Sequence, residues 1–172
     1  MGSSQPTPHK ALERPAITTD VKRICVAGFN YSPPCGRSRK VASLIAAKYP
    51  TQYETWFYFD SQGCYYDFLA KNFGDDKIVF PNELKGHDTA PFVWIERKNG
   101  ENNYLGQNVT FLKWATETFK EDKEICEAAS VEWSYSDLMH HQCCIQATSK
   151  LSQAKATAEE NMNKVKVEVT NK

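Results

Sequence analysis

The spacing of apolar positions changes repeatedly along the chain, and each change predicts a different element. Arg23-Ile24-Cys25-Val26-Ala27-Gly28-Phe29 is a short run of strand length with β-branched residues. From Cys35 to Lys48 the apolar residues Val41, Leu44 and Ile45 share one helical face, and Pro50 ends the helix. Tyr53 to Phe59 is rich in aromatics and predicts a second strand. Asp60 or Ser61 is placed to cap a helix from Gln62 to Asn72, which Gly74 terminates. Residues 74–88 read as a loop holding the apolar island Ile78-Val79-Phe80. Pro91 to Glu96 predicts a third strand, Lys98-Asn99-Gly100-Glu101 a hairpin turn, and Asn103-Tyr104-Leu105 a fourth strand. Asn108 then opens a helix through Phe119 that buries Phe111, Leu112, Ala115 and Phe119.

The order β-α-β-α-β-β-α describes an α/β domain over residues 21–122, with a right-handed first crossover joining parallel strands and an antiparallel hairpin later. Residues 1–20 lack apolar periodicity and read as an extended arm. Residues 123–172 read as a partly helical C-terminal extension. Glu124–Ala129 predicts a short helix, Ala147–Lys164 has high helix propensity, and Val165–Val169 alternates like a strand.

Charge and composition narrow the function classes. The 172 residues carry 21 Lys+Arg and 21 Asp+Glu, a net charge of zero that gives no general attraction to nucleic acid. No apolar run approaches the roughly 20 residues of a membrane span, and the start has no secretory apolar core. The expected location is cytoplasmic, with the six cysteines reduced. Cys25 and Cys64 fall inside a strand and a helix and read as core residues. His140-His141-Gln142-Cys143-Cys144 contains metal-ligand residue types, but adjacent ligands do not by themselves close a tetrahedron, so no metal is expected.

The chemistry concentrates in Tyr31-Ser32-Pro33-Pro34-Cys35-Gly36-Arg37-Ser38-Arg39-Lys40-Val41. Cys35 stands at a predicted helix start just after a predicted strand, where the helix dipole favours thiolate over thiol. Thr89-Ala90-Pro91 stands directly before the third strand. These two motifs, in this order and spacing, resemble the thioredoxin superfamily. Within it, Cys35-Gly36-Arg37-Ser38 resembles the Cys-Gly-Phe-Ser motif of monothiol glutaredoxins. The resemblance covers residues 21–120 or so and implies a thioredoxin-like fold in the glutaredoxin order. It also implies a cis-proline at Pro91, with the backbone of Ala90, beside Thr89, aligning a thiol substrate.

Two registers of the redox tetrapeptide are open, Ser32-Pro33-Pro34-Cys35 and Cys35-Gly36-Arg37-Ser38. Helices of this type bury apolar residues six and nine positions beyond the first cysteine. Counting from Cys35 gives Val41 and Leu44, and counting from Ser32 gives Ser38 and Val41. The second register is the better amphipathic fit, so Cys35 is expected at the nucleophile position, with Ser38 where a resolving cysteine would stand.

The family's glutathione contacts are largely replaced. Asn30, Tyr31 and Ser32 stand where a lysine is expected, Leu105-Gly106 replaces a Gly-Gly pair, and Asn108 replaces an aspartate. Arg37, in place of the motif's Phe, or Arg39 is the residue left to hold a carboxylate. The expected function is therefore a non-catalytic, structural or interaction protein without cofactor. Its layout resembles that of the thioredoxin-like proteins associated with the cortical microtubules of apicomplexan parasites. That resemblance implies a cytoskeletal location and a protein partner, tubulin, met by Arg39, Lys40, Trp133 and Tyr135. No nucleic acid or membrane is expected as a partner. The alternative is a monothiol thiol-disulfide oxidoreductase that uses Cys35 with glutathione.

Overall fold

The computed structural model describes residues 14–73 and 90–148. The first part of the arm, the Ile78-Val79-Phe80 island, Thr89, the strand expected at 165–169 and all but the start of the expected tail helix lie outside the described residues.

Four strands form one mixed sheet: β1 (Lys22–Phe29), β2 (Tyr53–Asp60), β3 (Phe92–Glu96) and β4 (Asn102–Gly106), in the order β2-β1-β3-β4. β1 runs parallel to β2, pairing Cys25 with Trp56, and antiparallel to β3, pairing Cys25 with Trp94. The β3–β4 hairpin turns through Gly100, whose φ of 78° lies in the left-handed region that glycine enters freely.

Alternation along the strands sends side chains to two faces. Ile24, Val26, Val93, Ile95 and Leu105 join one cluster with α1 (Pro33–Lys48) and α3 (Asn108–Thr118). Cys25, Ala27, Trp56, Tyr58, Phe92 and Trp94 join the other, with Tyr65 and Phe68 of α2 (Gln62–Phe73). Arg23 is buried at the foot of β1 and bridges Glu54 on β2 at 3.0 Å and Glu96 on β3 at 3.2 Å. The arm is fastened beside it. Arg14 pairs with Glu96 at 2.6 Å and lies over the rings of Trp56 and Trp94.

Beyond α3 the chain continues as α4 (Lys123–Ser130), α5 (Tyr135–His140) and a single 3-10 turn at Gln142–Cys144. Ile125 and Ala129 of α4 enter the α1–α3 core cluster. Lys48, at the end of α1, donates to Asp122 at 2.6 Å and pairs with Glu124 at 2.9 Å. Asp122 also caps α4 by accepting from the Ile125 N–H. No described helix is long and apolar enough to cross a membrane.

α5 is held by a single anchor, the fully buried Leu138. It seats over Gly36, where an added β-carbon would lie 2.5 Å from Leu138 Cδ1 and 3.3 Å from Trp133 Cζ3. Gly63, in the first turn of α2, faces open space. The same substitution therefore has opposite signs at the two glycines. Gly36→Ala is expected to destabilise by about 1–3 kcal/mol through overpacking. Gly63→Ala is expected to stabilise by about 0.5 kcal/mol through the unfolded chain. Urea unfolding of both variants checks this.

The Lys48 ammonium holds the Asp122 carboxyl below the usual aspartate range, with smaller support from the Ile125 N–H and the Tyr49 hydroxyl. A carboxyl depressed in the folded state stabilises fully above its ordinary pKa and loses that contribution as pH falls through the folded value. Asp122→Asn is thus expected to lower Tm at neutral pH and to flatten its fall in acid, measured by thermal unfolding across pH.

Candidate functional site: the start of α1

Ser32 is the N-cap of α1, and Pro33 and Pro34 fill its first two helical positions. Proline suits that place because its ring presets helical φ and its missing N–H has no intrahelical partner to lose. The helix therefore starts two residues earlier than the apolar pattern predicts, which moves Cys35 inside the first turn.

Cys35 is fully buried. Its Sγ lies against the β1 backbone, 2.7 Å from where a β-carbon on Gly28 would sit. Burial pushes its thiol above the ordinary range, opposed by smaller hydrogen-bonding effects from the Ser32 side chain and the Phe29 backbone. The sequence places this sulfur at an open helix start; the structure places it in the core, where burial disfavours the thiolate. The two prolines also remove N–H donors that would otherwise point at an anion there.

Both registers find partners on the helix face: Val41 is buried in either, and Leu44 packs against the core cluster. Ser38 and Val41, six and nine residues beyond Ser32, are both buried, whereas Leu44 is only half-buried. The apolar spacing alone gives Ser38 no place in the core. Ser38 Oγ is in fact buried with no hydrogen-bond partner among the described residues.

Arg37 and Trp133 meet at a cavity of about 230 Å³, lined also by Pro33, Pro34, Asn108 and Glu132. The Arg37 guanidinium donates to the Ala129 carbonyl, while its Nε is buried with no hydrogen-bond partner among the described residues. Trp133 is half-buried and stacks on His141 with ring centroids 4.4 Å apart. Tyr31, Val109 and Val131 are exposed large apolar residues, each within two positions of a lining residue.

The other expected site residues lie elsewhere. Arg39 turns inward: it lies over Phe57 and Phe59, with its carbon Cζ 5.2 and 4.8 Å from the ring centroids, and donates to the Gln146 carbonyl at 2.9 Å. It fastens the extension and so differs from the expected partner contact. Lys40 is exposed, as is Tyr135. Ala90 and Pro91 form a cis peptide bond at the start of β3, with Ala90 packed against both core clusters. Among the described residues no three His, Cys, Asp or Glu side chains gather to hold a metal ion. Gly28, Leu138 and Glu132, which shape the site, carry no local sequence signal. The Pro33-Pro34 pair was the signal that could have fixed the helix start.

Against known proteins, no family model matches the chain, and no curated protein sequence matches it either.

Of the six cysteines only Cys143 is exposed. Under native conditions an alkylating reagent at neutral pH is expected to label Cys143 first and to spare Cys35 until the chain unfolds. Peptide mass mapping over time measures that order, and early labelling of Cys35 would contradict the buried-thiol geometry.

Proposed function

We propose that the chain is a non-catalytic, thioredoxin-like interaction module. The sheet order, the helix that follows β1 and the X-Pro pair at the start of β3 support the thioredoxin-like reading. The observation that carries the loss of catalysis is the buried Cys35 behind a Ser-Pro-Pro helix start. An attacking sulfur must be exposed and ionised, and Ser32 at the N-cap cannot replace it in thiol exchange.

The cavity beside that helix start argues against a bound tripeptide thiol. Arg37 already engages the Ala129 carbonyl, and Glu132 adds a negative charge to the same lining, which disfavours a ligand carboxylate. Trp133 lines the cavity, and Tyr31, Val109 and Val131, each within two positions of a lining residue, are exposed apolar side chains of the kind that bind protein. The partner is accordingly a protein. Polymerised tubulin is the first to test, on the resemblance of layout set out above.

Three arms test the reading. With glutathione and a mixed-disulfide substrate, the full chain is expected to show no turnover. Cys35→Ser is expected to leave microtubule co-sedimentation unchanged. Val109→Glu, which places negative charge where the N-terminus of α3 accepts it, is expected to fold normally yet weaken capture by roughly tenfold or more. Glutathione-dependent turnover that Cys35→Ser abolishes would replace this reading with a monothiol oxidoreductase.

A further inference from the structure

The thiol chemistry missing from α1 is present in the extension. Cys143 and Cys144 occupy the 3-10 turn with their sulfurs 3.8 Å apart. Cys143 is exposed and Cys144 is buried, so one sulfur meets reagents and the other waits behind it. The buried partner sits where the extension locks onto α1: its Cβ lies 3.6 Å from the position a β-carbon on Gly36 would take. Within four residues the chain makes its last two described attachments, Arg39 to the Gln146 carbonyl and Thr148 to Phe59.

We propose that Cys143 and Cys144 form a dithiol site that exchanges with small aliphatic disulfides, closes to a disulfide between neighbours, and thereby releases the end of the extension from α1 and β2. The reaction has two steps. The Cys143 thiolate attacks one sulfur of the small disulfide; that S–S bond breaks, and the departing thiolate takes up the proton that Cys143 gave to solvent. Cys144 then loses its proton and attacks the Cys143 sulfur, expelling the second small thiol, which takes up that proton. Two protein thiols are oxidised and one small disulfide is reduced to two thiols, so atoms and electrons balance.

Geometry couples the chemistry to the fold. Neighbouring Cα atoms across a trans peptide stand about 3.8 Å apart, shorter than the roughly 4.4–6.8 Å that most disulfides span. Closing this bond must rebuild the 3-10 turn and lift Cys144 from its seat against α1. Such strained bonds are easily reduced, which suits a reversible site. Burial, then the neighbouring Cys143, pushes the Cys144 thiol up to about 12, against smaller opposing effects from Arg39 and Lys40.

The test treats the reduced full chain with 2-hydroxyethyl disulfide and follows peptide masses together with amide hydrogen exchange. The expected result is a transient adduct on Cys143, then loss of two hydrogens from the peptide holding both cysteines, with Cys35 still reduced. Exchange at the Phe59 amide, which donates to Thr148 Oγ1 at 2.8 Å, is expected to rise severalfold and to recover on reduction. Cys143→Ser is expected to abolish the reaction, and Cys144→Ala to stop it at the adduct. No oxidation of the pair, a stable adduct in the unaltered chain, a bond from Cys144 to another cysteine, or ring closure without faster Phe59 exchange would each overturn the proposal. The result is independent of partner capture by the module.

Discussion

Cys35 and Gly36 are neighbours in sequence, yet they press against different elements. The sulfur of Cys35 fills the space that Gly28 leaves on β1, and the bare backbone of Gly36 admits Leu138 of α5. The start of α1 is thus enclosed between the sheet and the C-terminal extension. That enclosure depends on two absent β-carbons, one on each side. It converts a place suited to anions and reactive sulfur into a packed joint, and it leaves the mouth beside it as a shaped surface.

The extension holds on mainly through polar groups aimed at backbone. Arg37 donates to Ala129, Arg39 donates to Gln146, and Thr148 exchanges hydrogen bonds with Phe59. Among the described residues from α4 onward, Ile125, Ala129, Leu138 and Cys144 are the buried apolar ones. An attachment with so little buried hydrocarbon is the kind that opens below the global unfolding free energy.

Much of the fold was legible because strand and helix periods are physical consequences of burying one face. The four strands and α1, α2 and α3 lie close to where alternation and 3.6-residue spacing placed them, and α4 matches the short helix expected from Glu124. α5 escaped because it is six residues long with one buried side chain, too little to register as a periodic face. Its local signal was a capping box, in which Ser134 and Asp137 satisfy each other's backbone N–H groups. The site was harder to read. Arg39 looks like one of a solvated basic run until two aromatic rings from β2 arrive beneath it, and those contacts depend on tertiary packing alone.

Thr148 also has a consequence for how the sheet ends. Its backbone N–H and hydroxyl occupy both the carbonyl and the amide of Phe59, so the outer side of β2 has one rung already taken by its own chain. An exposed strand margin is a template on which foreign chains can add, and even a single self-made rung near its end interrupts that template. The opposite margin, β4, is short and begins with the exposed Asn102 and Asn103. The two borders are therefore blunted by different means, one by a borrowed residue and the other by brevity and polarity.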